Sequence, residues 1–345
     1  MLTIRSCRTA DVPDVLAFLD AHWKPRHIFT TDRRLFDWQY ARRDRPGEYA
    51  ILIARRDDNS EIAGMLGYLP TRHFDAALAP ANTIWLALWN VRDDIPTGPL
   101  GLELLTHLMQ HEPHTNIGVI GFQPPVAAIY KALKFDVGEL QHYVLPNPDV
   151  SRFELALFNR LPVRAVPATE VTAAAVDDQT LSNAVRGLDL SERNRRTPQK
   201  SVEYFRARFV RHPIYRYRTF VLRRRDRPIA LVAMRVAAHA GRSALRIVDF
   251  IGPDDAVPGL AALALDEVRR IRAEYADIHN SGIDRSVFVE AGFSPVDPAG
   301  PDIVPNHFEP FERRNAPIRF ALKSSEPAVL FKGDGDQDRP NVPQS

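Results

Sequence analysis

The sequence predicts an α+β protein whose structural unit is built twice along the chain. Three observations carry that prediction. At 345 residues the chain is long for one compact domain and comfortable for two. Apolar residues make up 45% of it, enough to give each half a core. Above all, the order of elements read in the first half returns in the second.

Leu2 to Cys7 reads as a first strand, with Cys7 as a small buried residue. Asp11 caps a helix that has Pro13 in its first turn and Val15, Leu16, Phe18 and Leu19 on its apolar side. A short amphipathic piece, 35–40, precedes the Pro46-Gly47 break. Two strands follow, 49–54 and 62–69, joined by a polar turn at 57–60. A strand over 83–91 leads through a Gly/Pro loop into a helix from Leu100 that buries Leu104, Leu105, Leu108 and Met109. A strand at 116–122, a helix at 127–133 and a last strand at 139–145 complete the unit.

In the second half, Phe205–Phe209, Pro213 and Tyr215 repeat the pattern of Phe36–Tyr40, Pro46 and Tyr49. A hairpin over 219–236, a strand at 245–251, a Gly/Pro loop and a helix with Leu260, Leu263, Ala264, Val268 and Ile271 at helical spacing then match their first-half counterparts. Each half next ends a helix on an aromatic, Leu133-Lys134-Phe135 and Ala291-Gly292-Phe293. These boundaries give domains at 1–150 and 151–325, followed by an acidic polar tail, 326–345. In the tail, 328–331 reads as one more strand and the stretch beyond as solvated chain.

No apolar run approaches the roughly 20 residues of a membrane span. The N-terminus lacks the pattern of a signal peptide, and one cysteine supports neither a disulfide framework nor a thiolate cluster. A cytoplasmic, membrane-free protein is expected. The formal net charge is only +2, but twelve arginines fall between Arg193 and Arg227. Most read as a solvated face and two or three as holders of a bound anion. No reader motif for nucleic acid accompanies them.

The order of elements, together with Ala127-Ala128-Ile129-Tyr130-Lys131-Ala132-Leu133-Lys134-Phe135, resembles the GNAT (GCN5-related N-acetyltransferase) family. The nonapeptide is similar to that family's alanine–tyrosine–glycine–phenylalanine helix end, with Lys134 in place of the glycine. The second copy keeps Gly292-Phe293 but carries Phe288 in place of the tyrosine. The resemblance implies two tandem GNAT-like domains, each a mixed, mostly antiparallel sheet flanked by helices. It also implies acetyl-CoA or another acyl-CoA as cofactor, and a small-molecule amine acceptor, which the arginines suggest is anionic. On that pattern Val91, Gly98, Leu100 and Gly101 would hold the cofactor, although Pro99 and Pro96 replace residues of the usual phosphate loop. Tyr130 would be the general acid. A base is not fixed by any motif; His22 and His27, flanking Trp23-Lys24-Pro25-Arg26, are the candidates. No metal site is expected: the Asp334, Asp336, Asp338 alternation lacks the rest of a calcium loop.

Asp249, inside an apolar strand, needs a partner and is taken as a substrate-binding or ion-pairing carboxylate. Asp334, Asp336 and Arg339 are candidates to fold back onto the acceptor. The 332–341 string and the His22–His27 segment are similar to GNAT-like proteins of bacterial O-antigen and capsule biosynthesis, which implies an amino sugar, free or nucleotide-linked. Two other readings stay open: a transferase using another carrier such as aminoacyl-tRNA, and a non-catalytic binding module. A homodimer is compatible with all three.

Overall fold

The computed structural model describes residues 2–58, 61–94, 98–308 and 310–336. The first unit opens with β1 (Leu2–Arg8), α1 (Val12–Phe18, prolonged by a π-helical turn, Leu19–Trp23), α2 (Ile28–Thr31) and α3 (Arg33–Tyr40). It continues with β2 (Glu48–Arg56), β3 (Ile62–Pro70), β4 (Thr83–Val91), α4 (Leu100–His111), β5 (Asn116–Ile120), α5 (Ala127–Ala132), β6 (Asp136–Glu139) and β7 (Gln141–Pro146). The second unit has β8 (Val171–Ala175), α6 (Leu181–Ala184), α7 (Val202–Phe205), β9 (Arg218–Arg224), β10 (Arg227–His239) and β11 (Arg242–Ile251). After it come α8 (Val257–Ile271), β12 (Tyr275–Ser281), α9 (Arg285–Glu290), β13 (Ser294–Val296), the two-residue strands β14 (His307–Phe308) and β15 (Phe311–Glu312), β16 (Arg319–Lys323) and β17 (Leu330–Phe331). Among the described residues no helix is long and apolar enough to cross a membrane.

Both sheets are mixed and mostly antiparallel, as expected. The first runs β1-β2-β3-β4-β5-β16-β6, the second β13-β7-β12-β11-β10-β9-β8, with β17 added against β12. One feature was not legible in the sequence: the units exchange a strand. The single strand expected at 139–145 is two. β6 stays in the first sheet, while β7 crosses to pair with β12 and β13 of the second. In return β16 enters the first sheet between β5 and β6. Residues 141–146, before the expected boundary at 150, thus belong to the second sheet, and 319–323 to the first. The swap welds the halves, and a further apolar layer seals the seam, with Phe74 and Leu78 of the first unit packed among Tyr204, Phe205, Leu231 and Val248 of the second.

Each sheet has one parallel pair, and these pairs position the clefts. β4 pairs with β5 only from Thr83↔Asn116 to Leu86↔Val119, and β11 with β12 only from Leu245↔Ala276 to Ile247↔Ile278. At the point where each pairing stops, the leading strand shifts register against its other neighbour, after Leu86 in β4 and after Ile247 in β11. Such a bulge bends the strand away, so each parallel pair opens into a wedge.

Candidate functional site

The two wedges have the same construction and different contents. Ala87, the residue after the last parallel pair in β4, lines an open cavity of about 490 Å³ with Leu86, Trp89, Val119, Gly121, Phe122 and Tyr130. Its counterpart in β11, Val248, instead gives its carbonyl to the amide of Gly333 at 3.0 Å. The second wedge is filled by the chain's own C-terminal segment. β17 pairs with β12 at Asn280↔Phe331 and Ser281↔Leu330, just past the point where β12 leaves β11. Gly282, at φ +100°, lets the segment approach so closely that a Cβ there would run into the Ala328 carbonyl.

A buried ion cluster holds the segment down. Lys200 Nζ lies 2.7 Å from Asp249 Oδ1 and 2.7 Å from Asp334 Oδ1, and all three side chains are fully buried. Burial pushes the Asp249 carboxyl above its ordinary range, against the pull of Lys200. Asp334 Oδ2 accepts the Phe331 amide at 2.8 Å, closing the turn. Arg208 donates to the carbonyls of Gly333 and Gly335, the former at 2.8 Å. The tail expected to be solvated is therefore packed through Asp334. Asp249 and Asp334 sit in this cluster rather than on the open cavity.

The arginine-rich stretch divides: Arg195, Arg211, Arg216, Arg225 and Arg227 are exposed, as expected of a solvated face, and several of the others are buried or paired. Arg193 donates to the carbonyls of Arg196 and Pro198. Arg196 pairs with Asp254, Arg206 and Arg211 with Asp178, Arg218 with Glu267, and Arg224 with Asp255. These paired arginines tie elements of the second unit to one another.

Tyr130 projects from α5 into the open wedge, 1% exposed, with its ring against Trp89, Phe122 and Phe135 at 5.9, 5.1 and 5.2 Å between centroids. Burial raises its phenol above the usual value, so it holds its proton at neutral pH. Its second-unit counterpart, Phe288, has no hydroxyl and stacks on Tyr143 at 4.3 Å. At the helix end, Lys134 adopts φ +62° and Gly292 φ +103°, so both helix ends turn through the left-handed region and only one uses glycine for it.

The other residues singled out from the sequence fall in separate places. Val91 ends β4 opposite Gly64. Leu100 and Gly101 open α4, where no side chain caps the helix and a Cβ on Gly101 would lie 3.4 Å from the Trp89 indole nitrogen. Gly98, at φ +53°, has nothing among the described residues within 4 Å of where its Cβ would be. None of the four lines the cavity, but α4 begins beside Trp89, which does. His22 lies outside the cleft, in a surface recess with Asp14, Arg55, Glu61 and Arg92. Its neighbour Trp23 faces the cavity instead.

His27 is 2% exposed, and its Nδ1 accepts the Phe29 amide at 3.2 Å, which leaves the proton of the neutral ring on Nε2. Burial pushes it down to about 4, partly opposed by the Asp336 carboxylate. Asp336, at the far end of the chain, thus comes to the same corner, where Gln39 Nε2 approaches it at 3.5 Å. The adjoining Gly335 packs toward Ile120 at the end of β5. Arg339 and Asp338 lie outside the described residues.

One side of the cavity was not foreseen from the sequence. His307, Arg314, Arg319 and Lys332, all from the second half of the chain, face the first unit's Tyr130 side. No local pattern marks them, because the strand exchange is what brings them there. Behind this wall His142, Asp277 and His279 converge within 4.8 Å, spacing that a metal ion could use. Asp277, however, already takes His142 at 3.0 Å and Arg246 at 3.3 Å. The two imidazoles stack face to face at 3.9 Å. With a guanidinium on the shared carboxylate, the cluster is better suited to holding β7 against β12 than to binding a cation.

No family profile matches the sequence, and no curated relative does. Solved structures do match in fold. A GCN5-related N-acetyltransferase of Anabaena variabilis superposes with a TM-score of 0.58 at 10% identity, over 94% of this chain and 72% of its own. A probable N-acyltransferase of Enterococcus faecalis gives 0.52 at 9% identity, over 86% and 70%. A GCN5-related N-acetyltransferase of Kribbella flavida gives 0.50 at 12% identity, over 93% and 70%. At these identities the likeness establishes the α+β GNAT fold.

Proposed function

We propose that the chain is an N-acyltransferase that moves an acyl group from acyl-coenzyme A to the amine of a small molecule, and that it does so in the first wedge alone. The observation that carries this reading is the contrast between the clefts. In the second wedge, a backbone amide of the C-terminal segment occupies the carbonyl of Val248. The first wedge has the same bulge, is open at Ala87, and has Tyr130 at its side.

The residues present fit the cofactor. The open wedge suits an extended, amide-bearing arm such as pantetheine, as the segment in the second wedge illustrates. The first turn of α4 and the open space at Gly98 offer backbone N–H groups to a diphosphate. Acyl-coenzyme A, when bound, supplies the activated acyl group as a thioester. Backbone groups of β4 beyond Leu86 would orient the acyl carbonyl within reach of the amine. Tyr130 would donate its phenol proton to the departing sulfur, a role its retained proton suits. His27 is not placed to take the proton of the attacking amine, since its Nδ1 accepts the Phe29 amide, its Nε2 carries the ring proton and it does not line the cavity. The acceptor is taken to bind as the neutral amine and to lose its proton to water. Trp23, 40% exposed at the mouth, offers a flat face to the acceptor, for which an amino sugar is the class we carry forward.

The test is release of coenzyme A from acetyl-CoA across a panel of amines. Tyr130→Phe should lower turnover without unfolding the protein. No thermal shift with acetyl-CoA or longer acyl-CoAs would overturn the proposal and favour another acyl carrier, aminoacyl-tRNA included, or a binding role.

A further inference from the structure

We propose that the acceptor carries an anionic group, a phosphate or a carboxylate, seated by Arg314, Arg319 and Lys332 in the open cleft. This rests on reading that cleft as the acyl-transfer site. The lining of the cavity differs in chemistry and in origin. Trp89, Phe122, Val126 and Tyr130, from the first unit, supply apolar and aromatic surface. His307, Arg314, Arg319 and Lys332, from the second half of the chain, supply basic groups, and among the described lining residues there is no aspartate or glutamate.

The cations are held in place by groups outside the cavity. Arg314 is fixed by Glu312, at 2.7 Å from Nε and 2.6 Å from Nη2. Arg319 reaches Glu139 at 3.3 Å. Lys332, 7% exposed, donates to the Asn306 carbonyl at 3.2 Å. A guanidinium has five N–H donors, so a carboxylate gripping one edge orients the group and leaves donors for a ligand. His307 reports the same positive field: after burial, Lys332 is the next influence holding its imidazole below the ordinary value.

An anion on these cations and an acyl-pantetheine arm against the aromatic lining would bring the acceptor amine into the cavity that Tyr130 lines. Gly98, Leu100 and Gly101, at the α4 start where the donor's diphosphate is expected, do not line the cavity, whereas the three cations do. Acceptor selection would then come from one unit and acyl activation from the other, joined by the exchanged β16 that carries Arg319.

The experiment compares glucosamine, glucosamine 6-phosphate and muramic acid as acceptors with acetyl-CoA as donor, in the full-length protein and in Arg314→Gln. Arg314 is exposed enough for that variant to fold. The proposal expects kcat/KM at least about tenfold higher for an anionic acceptor than for glucosamine, with Arg314→Gln cutting that ratio about tenfold or more, the size of a lost charge-assisted hydrogen bond. The KM for acetyl-CoA should stay constant. Calorimetric binding of glucosamine 6-phosphate or muramic acid without donor should weaken by a similar factor. A preference between these two assigns the anion as phosphate or as carboxylate.

Equal use of charged and uncharged acceptors would overturn the proposal while leaving acyl transfer standing. So would a loss in Arg314→Gln that falls on the KM for acetyl-CoA, which would assign the cations to the donor's phosphates. Failure of acetyl-CoA to bind at all would remove the acyl-transfer reading, and this one with it.

Discussion

Replacing Lys200 with methionine removes the ammonium that sits between two carboxylates wholly shielded from solvent. Its 2.7 Å contacts to Asp249 and Asp334 cannot be replaced by water, because none of the three side chains is exposed. Among the described residues Asp249 Oδ2 has no hydrogen-bond partner even with the lysine present. Breaking a buried pair by deleting one member costs about 3–5 kcal/mol, against at most about 1 kcal/mol for a solvent-exposed pair. With a urea m-value of about 3 kcal/mol/M, the denaturation midpoint should fall by about 1–1.7 M. The C-terminal segment should loosen as well, since Asp334 closes its turn on Phe331. Hydrogen exchange at Gly333, whose amide bonds Val248, reads that directly. A midpoint shift below about 0.3 M, about 1 kcal/mol at the same m-value, with Gly333 still protected would refute the claim that this cluster holds the second wedge shut.

The remaining predictions concern the catalytic group, pH and the turns. Tyr130→Phe should reduce kcat about 10²- to 10⁴-fold with little change in the KM for acetyl-CoA, as steady-state kinetics would show; an unchanged kcat would remove Tyr130 as the acid. His27 and His73 are both held down to about 4, chiefly by burial, so the unfolded chain takes up their protons first as pH falls. The stability they contribute is complete above about pH 6.5 and is lost between there and about pH 4, on the order of 3 kcal/mol for each. Urea midpoints from pH 7 to pH 4.5 should fall less in a His27→Gln, His73→Gln double variant than in the wild type. Asp249 has the opposite sign: its raised carboxyl favours the folded state below the ordinary value of 3.8, and that contribution fades as pH rises through the raised one. Gly292→Ala should destabilise the second unit by about 1 kcal/mol or more, since φ +103° is closed to side chains; an unchanged thermal midpoint would contradict it.

Elements whose signal is local were legible in the sequence. Thr83–Val91 is a strand over the expected span, and the helix from Leu100 begins where the periodicity placed it, because alternation and helical spacing are written in neighbouring residues. Tyr130 was found by its helix-end motif and does face the wedge. The strand exchange was not legible: 139–145 reads as one strand whichever sheet it joins, and a kink at Leu140 that sends β7 across the molecule has no compositional mark. With the exchange went the basic wall of the cleft, since His307, Arg314, Arg319 and Lys332 gain their meaning only from where β16 inserts. Polarity misled at two points. Asp334 looked like part of a solvated tail and is buried against Lys200, and Arg196, Arg206, Arg218 and Arg224, read within a solvated face, are paired within their own unit.

The measurement that bears most directly on the account is the stoichiometry of acetyl-CoA binding by isothermal titration calorimetry. One open wedge and one filled one predict a single site per chain, lost in Gly101→Asp, which sets a carboxylate at the α4 N-terminus beside Trp89. Two sites per chain would contradict the occupancy of the second wedge, and no binding would contradict the assignment of the first.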